Sequence, residues 1–335
     1  MKCSAICFTG PEQLTFREYE IPPLEGDQVL VETLFSGVST GTETRVFRGK
    51  QQGAEFPLIP GYENVGYIRK CGPAATLAVG TAVFVNNEYT GGINSSWGSH
   101  VSYSVASQRN VHLFPGEPDI EKLKAYAFCK VASIAHHGVA RASVSSDDTV
   151  AVVGLGLIGQ LALQIIKSKG AKVIAVDMDS ERLEIAGKAG ADKLINPSET
   201  DLKQAVMDYC GGVDVAVDAT GIPEVLNTTA QLVHARPWEA PYPAHPRILI
   251  LGSYAGSVSL DYEASLFMNE PDIFPSRDTT DADFESVISM IYKNQINPLL
   301  IPTEIVAVGE AETAYKDILN KKLTRVIFDW SREGV

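Results

Sequence analysis

Short alternating apolar and polar segments fill the first hundred or so positions, and longer apolar runs separated by helical stretches fill the rest. Gln28 to Glu32, Val65 to Arg69, Thr81 to Val85 and Val101 to Val105, bounded by turn residues, predict the strands of an all-β module. Met1 to Ile6 reads as its first strand. From Lys122 onward, helices alternate with apolar strands at Val150–Val153, Lys172–Val176, Asp214–Asp218 and Arg247–Leu251, which predicts an α/β domain built on a parallel sheet. Glu285–Asn294 and Glu310–Asn320 follow as helices, and Thr324–Phe328 as a closing strand. His234 to Arg247 carries four prolines and reads as an ordered loop, either covering a sheet edge or contacting substrate or another subunit.

The most apolar stretch, Thr149 to Ile166, is interrupted by Gly154, Gly156, Gly159, Gln160 and Gln164, which favours a buried strand and helix over a membrane span. A chain of 335 residues suits two domains. A formal charge of -13 argues against nucleic acid or an anionic membrane as partner. Five scattered cysteines form no C-x-x-C pair, and no leader-like run opens the chain, so a cytoplasmic protein with reduced thiols is expected.

Gly154-Leu-Gly156-Leu157-Ile158-Gly159 follows an apolar strand and precedes the helix predicted from Gln160, the context in which G-x-G-x-x-G marks a dinucleotide site. Gly154 would allow the tight turn, Gly156 the approach of pyrophosphate, and Gly159 close helix–strand packing. The helix N-terminus would offer N–H donors to phosphate. Asp177, at the end of the next strand, stands where a carboxylate bonds the ribose 2′-hydroxyl, which favours NAD over NADP. A strand-end cap is the alternative for Asp177.

These features, with Ser36-Gly-Val-Ser39-Thr40-Gly-Thr42-Glu43, Phe56-Pro-Leu-Ile-Pro-Gly-Tyr62-Glu63-Asn-Val-Gly66 and Trp97-Gly-Ser-His-Val-Ser-Tyr103, resemble the medium-chain dehydrogenase/reductase superfamily over essentially the whole chain. The resemblance implies a GroES-like β-barrel catalytic domain (1–121 and 276–335), a Rossmann doubly wound domain (122–275) and an active cleft between them. It also implies cofactor contacts from Arg182, Thr220, Gly252 and Ser253, with Arg182 as an exposed helix charge the alternative.

Zinc-type members of that superfamily hold a catalytic metal with Cys, His and Cys or Glu. Here the first ligand falls on Ser39 or Thr40, the second on Tyr62, and the third on Lys130, or on Cys129 if the alignment shifts by one. Hydroxyl, phenol and ammonium groups do not make a tetrahedral zinc set, so no metal is expected. The corresponding structural zinc lobe, Asn87 to Trp97, has no cysteine.

Without zinc, some other group must take the alcohol proton. Tyr62 and Lys130 could act as a pair: an ammonium about 4 Å from a phenolate contributes on the order of 4 kcal/mol at an effective dielectric near 20, roughly three pKa units. Alternatively, Tyr62 fills the vacated cavity with its hydroxyl on Glu63, and Lys130 is a surface residue. Ser39, Thr42 and Glu63 complete the expected catalytic group, Thr42 at the hydroxyl position of the family's relay. Arg45, where many members have a relay histidine, and His137 are candidates for binding substrate. His136 or His137 could replace Tyr62 as acid–base, and His100 has a structural reading.

The expected function is a zinc-independent NAD(H) oxidoreductase interconverting a polar secondary alcohol, of sugar, polyol or cyclitol type, and its ketone. The Ser-Thr-Gly-Thr-Glu and Gly-Tyr-Glu motifs are also similar to the dehydrogenase of the bacteriochlorophyllide hydroxyethyl group. A quinone or enone reductase and a non-catalytic NAD-binding protein remain open. A small-molecule substrate and a homodimer are expected, with neither nucleic acid nor membrane as partner.

Overall fold

The computed structural model describes residues 1–51, 53–86, 98–235, 245–254 and 256–332. The chain divides into two compact units, Met1–Lys130 with Ile301–Val335, and Val131–Leu300. The divisions lie further along the chain than the expected boundaries at 122 and 276, so the helix near residue 285 belongs to the second unit.

Seven strands open the first unit: β1 (Lys2–Gly10), β2 (Gln13–Glu20), β3 (Gln28–Val38), β4 (Asn64–Cys71), β5 (Ala82–Val85), β6 (Tyr103–Ser107) and β7 (Val111–Leu113). The short helix α1 (Thr42–Phe47) lies between β3 and β4, and α2 (Ile120–Tyr126) and α3 (Cys129–Arg141) lead out of the unit. β1 and β2 pair as an antiparallel ribbon, and bridges from Ala5 to Val101 and from Phe8 to Leu58 tie it to the rest. Leu58, Phe8, Phe47 and Val46 pack into one core with the chain's last helix and strand, which is how the C-terminus returns to this unit.

The second unit holds β8 (Thr149–Val153), α4 (Leu157–Ser168), β9 (Lys172–Val176), α5 (Ser180–Lys188), β10 (Lys193–Ile195), α6 (Leu202–Cys210), β11 (Val215–Asp218), α7 (Pro223–Ala230), β12 (Arg247–Ile250), β13 (Asp272–Pro275) and α8 (Asp281–Tyr292). Its strands run parallel in the order β10-β9-β8-β11-β12-β13. This is the doubly wound dinucleotide order, in which the connection reverses between β8 and β11 and leaves a crevice at their carboxyl ends. β8, β9 and β11 read as near-continuous apolar runs because both faces of a parallel sheet are covered. β14 (Thr303–Ala307), α9 (Ala311–Leu319) and β15 (Arg325–Asp329) then rejoin the first unit, where β15 lies antiparallel to β3 and parallel to β14.

The strands named from the pattern are present within a few residues, except that only a bridge forms at Val101 and the strand begins at Tyr103. β2, β7, β10, β13 and β14 escaped the pattern because they are short or largely exposed. No helix among the described residues is long and apolar enough to cross a membrane.

Candidate functional site

The glycine turn sits at the reversal between β8 and β11. Gly154 has a φ of 88°, and a Cβ there would meet the Thr220 amide at 3.0 Å. A Cβ on Gly159 would fall on the Gly154 carbonyl oxygen, which explains why helix and strand come together only with glycine there. At Gly156 a Cβ would meet open space, so that position is spared for something outside the protein. Gly156 also caps α4 without a side-chain bond, which leaves first-turn N–H groups available to an anion.

A cavity of about 270 Å³ opens here, lined among others by Gly154, Gly156, Asp177, Arg182, Thr220 and Ile222. The Asp177 carboxylate accepts from the Leu155 amide at 2.7 Å and the Asp179 amide at 2.9 Å, so it caps and lines the cavity together. Arg182 Nη1 stands 3.7 Å from it. Leu157, Ile158 and Gly159 form the first turn of α4 behind the cavity. Gly252 and Ser253 follow β12, where Gly252 packs within a Cβ's reach of the Asp218 carboxylate. These residues fit a dinucleotide: a spared backbone position, a helix end and a carboxylate at the edge.

Asp218, missed in the sequence, organises that edge. Fully buried, it accepts from the Thr220 amide (3.0 Å) and hydroxyl (3.0 Å), the Thr229 hydroxyl (3.3 Å) and the Tyr254 phenol (2.7 Å). Burial and then the Asp218 carboxylate push the Tyr254 phenol up.

In the first unit, Tyr62 is buried, and the Ser39 and Thr42 hydroxyls hydrogen-bond its phenol. Three of the expected catalytic residues therefore meet. Their electrostatics reverse the expectation: burial, then the Glu63 and Glu43 carboxylates, push the Tyr62 phenol up, against the pull of the two hydroxyls. Both carboxylates favour the neutral phenol, so Tyr62 is held as a protonated donor and not as a phenolate base.

Glu63 is not free for catalysis either. Its carboxylate is ion-paired with Arg325, and both side chains are fully buried. Glu43, quoted only as part of a motif, anchors α1: it accepts from the Ser39 amide at 2.6 Å, His100 Nε2 lies 2.9 Å away, and the Tyr315 hydroxyl donates at 2.7 Å. His100 Nδ1 lies 2.8 Å from Ser36 Oγ, which accepts from Trp330 Nε1 at 2.9 Å. The His100 ring lies flat against Gly61, where a Cβ would meet it at 2.8 Å. His100 thus has the structural role that its sequence reading allowed.

A profile of the alcohol dehydrogenase GroES-like domain matches residues 25–116, and one described as zinc-binding dehydrogenase matches 158–236. The D-arabitol-phosphate dehydrogenase of Enterococcus avium is 25% identical over 97% of this chain and 96% of its own. The sorbitol dehydrogenase of Halalkalibacterium halodurans is 25% identical over 95% and 96%. A short chain alcohol dehydrogenase from Escherichia coli CFT073, solved with NADH, superposes with a TM-score of 0.85 at 23% identity, covering 98% of this chain and 99% of that one. The chain belongs to the medium-chain dehydrogenase/reductase superfamily.

Zinc-type members of this superfamily imply a catalytic metal, and the residues here do not fit one. Ser39 and Tyr62 offer neutral hydroxyls, Glu63 is held by Arg325, and burial raises the Cys129 thiol well above its ordinary range. Among the described residues no group of three or more His, Cys, Asp or Glu side chains could hold a metal ion. The zinc-binding dehydrogenase profile covers the nucleotide unit and not these positions. Residues 87–97, where a structural zinc lobe would fall, and 236–244 of the proline-rich loop lie outside the described residues.

Lys130 is buried in the first turn of α3, not at the surface. Arg45 is half-buried in α1. His137 Nδ1 lies 2.9 Å from Asp283, and His136 Nδ1 2.7 Å from the other oxygen of the same carboxylate. Asp283 also accepts from Thr280 at the start of α8. Burial would raise the Asp283 carboxyl, but the bonds from Thr280, His136 and His137 bring it down to about 2.

Proposed function

We propose that this dehydrogenase is zinc-independent and NAD(H)-dependent, and that it interconverts a polar secondary alcohol of sugar, polyol or cyclitol type and its ketone. The observation that carries the reading is the hydroxyl cluster Tyr62–Ser39–Thr42, whose phenol is held protonated by its burial and by the Glu63 and Glu43 carboxylates. Bound NAD(H) would accept or donate the hydride. The chain's own part is to hold the reacting oxygen: a neutral phenol donates a hydrogen bond to the carbonyl, and keeps donating it to the alkoxide that forms as the hydride arrives. Such a hydrogen bond to a developing oxyanion contributes about 10² to 10³ in rate.

Asp177 supports NAD over NADP, since a 2′-phosphate would meet its carboxylate. The polyol class draws on the relatives, whose names are those of arabitol-phosphate and sorbitol dehydrogenases. The second profile's description does not count against zinc independence, because the residues it matches exclude the ligand positions.

The test is turnover of sorbitol, D-arabitol, erythritol and their ketones with NAD(H) and NADP(H), before and after dialysis against a chelator. Activity with NAD(H) that survives the chelator is expected, along with less than one zinc per chain by elemental analysis. One tightly bound zinc, or activity lost to the chelator and restored by zinc, refutes metal independence.

A further inference from the structure

Oxidation of an alcohol needs a group with a free lone pair to take the hydroxyl proton, and the Tyr62 phenol, held protonated, is not that group. Among the six imidazoles of the chain, most are excluded by their surroundings. His100 has both ring nitrogens within hydrogen-bond distance of Ser36 and Glu43, and no solvent exposure. His234 bridges Gly211 and Asp214, before β11 begins, and His245 stands before β12 with Nδ1 on the Glu270 carbonyl, both at the amino end of the sheet. His112 lies in β7, an end strand of the first unit's sheet.

His136 and His137 remain, one on each oxygen of Asp283. Donation of Nδ1–H to a carboxylate fixes the tautomer and leaves the lone pair on Nε2. Neither Nε2 has a hydrogen-bond partner among the described residues. His137 is the more open, 26% exposed against 15% for His136. The following residue, Gly138, lies against Leu251, and a Cβ on it would be 3.2 Å from Ser276 Cβ. Leu251 and Ser276 follow the carboxyl ends of β12 and β13, the edge that carries Thr220 and the glycine turn. The Ser276 hydroxyl oxygen is buried there with no partner among the described residues.

We propose that His137, oriented by Asp283, is the catalytic proton acceptor of this enzyme in alcohol oxidation, an inference that rests on the alcohol–ketone reading above. The carbinol C–H bond breaks and its electron pair leaves with the hydrogen as hydride to the nicotinamide of NAD⁺. The O–H bond breaks and its proton goes to His137 Nε2. The C–O bond becomes C=O, and the imidazolium then passes its proton to water. Asp283 is a positioning residue: by accepting from Nδ1–H it places the lone pair on Nε2, and it stabilises the imidazolium that proton transfer forms.

The experiment compares His137→Asn and His136→Asn, since asparagine keeps a donor for Asp283 but has no counterpart to Nε2. Sorbitol, D-arabitol or erythritol with NAD⁺ serves as substrate, and NADH fluorescence and thermal melting are read alongside. His137→Asn is expected to lower kcat by about 10²-fold or more, to lose the acid limb of the pH–kcat profile and to regain turnover with added imidazole. NADH affinity and melting temperature should not change. His136→Asn should keep kcat within a few-fold. Wild-type turnover in His137→Asn, or equal losses in both variants together with lower melting temperatures, overturns the role and leaves a structural clamp. A wild-type protein that binds NADH but oxidises no alcohol and reduces no ketone overturns the function itself, and the role with it.

Discussion

Glu63 and Arg325, 262 positions apart, form an ion pair in which neither side chain is exposed to solvent. Arg325 also donates to the carbonyls of Val38 at 2.6 Å and Ala127 at 2.7 Å, and lies over the Phe128 ring at 4.7 Å. One guanidinium thus joins the end of β3, the turn before α3 and the returning β15, and Glu63 keeps its charge from being buried alone. Removing either partner strands the other. Glu63→Gln and Arg325→Met should each destabilise the fold by about 3–5 kcal/mol, and the double variant by less than the sum. Urea unfolding checks this; two nearly neutral single variants would show that the pair is not needed.

Tyr62 adjoins Glu63 but has a different task. Tyr62→Phe deletes only the hydroxyl that meets Ser39 and Thr42, so kcat should fall about 10²-fold or more while NADH affinity stays within twofold. Steady-state kinetics with fluorescence titration separate the two. Unchanged kcat would return Tyr62 to the role of a cavity filler.

The two glycines of the turn should separate folding from binding. A Cβ at position 159 meets the Gly154 carbonyl oxygen, whereas one at 156 meets nothing in the protein. Gly159→Ala is expected to lower the melting temperature by several degrees, on the order of a 1–3 kcal/mol loss. Gly156→Ala should leave the melting temperature unchanged and weaken NADH binding at least tenfold. Equal NADH affinity in wild type and Gly156→Ala would mean that pyrophosphate does not approach there.

The Asp283 carboxyl predicts a direction for acid stability. Its folded value, about 2, lies below the ordinary 3.8, so the folded state binds the proton less readily than the unfolded one. That contribution is fully present above about pH 4 and disappears as pH falls toward 2. Urea midpoints between pH 5 and 2.5 should fall less steeply in Asp283→Asn than in wild type. Parallel slopes would remove Asp283 as a source of the dependence.

The nucleotide unit was legible because its signals are local. A glycine triplet, the apolar strand before it and the acidic residue after the next strand lie within 28 consecutive positions, Val150 to Asp177. Short-range sterics and the two-sided burial of a parallel sheet impose that pattern on the residues themselves. The residue types at positions 39, 62 and 130 were equally plain, and with them the mismatch to zinc.

What those residues do was decided by contacts between distant segments. The pattern around Tyr62 suggested an ammonium beside a phenolate, but folding brings Glu43 and Glu63 to that phenol and buries it, which reverses the shift. Glu63 is a neighbour of Tyr62 in sequence, yet its partner comes from the last strand. Asp283 gathers two histidines from a helix 146 and 147 positions earlier. The protonation of a buried group depends on the sum of desolvation and the charges around it, and those charges come from segments that only the tertiary fold brings together.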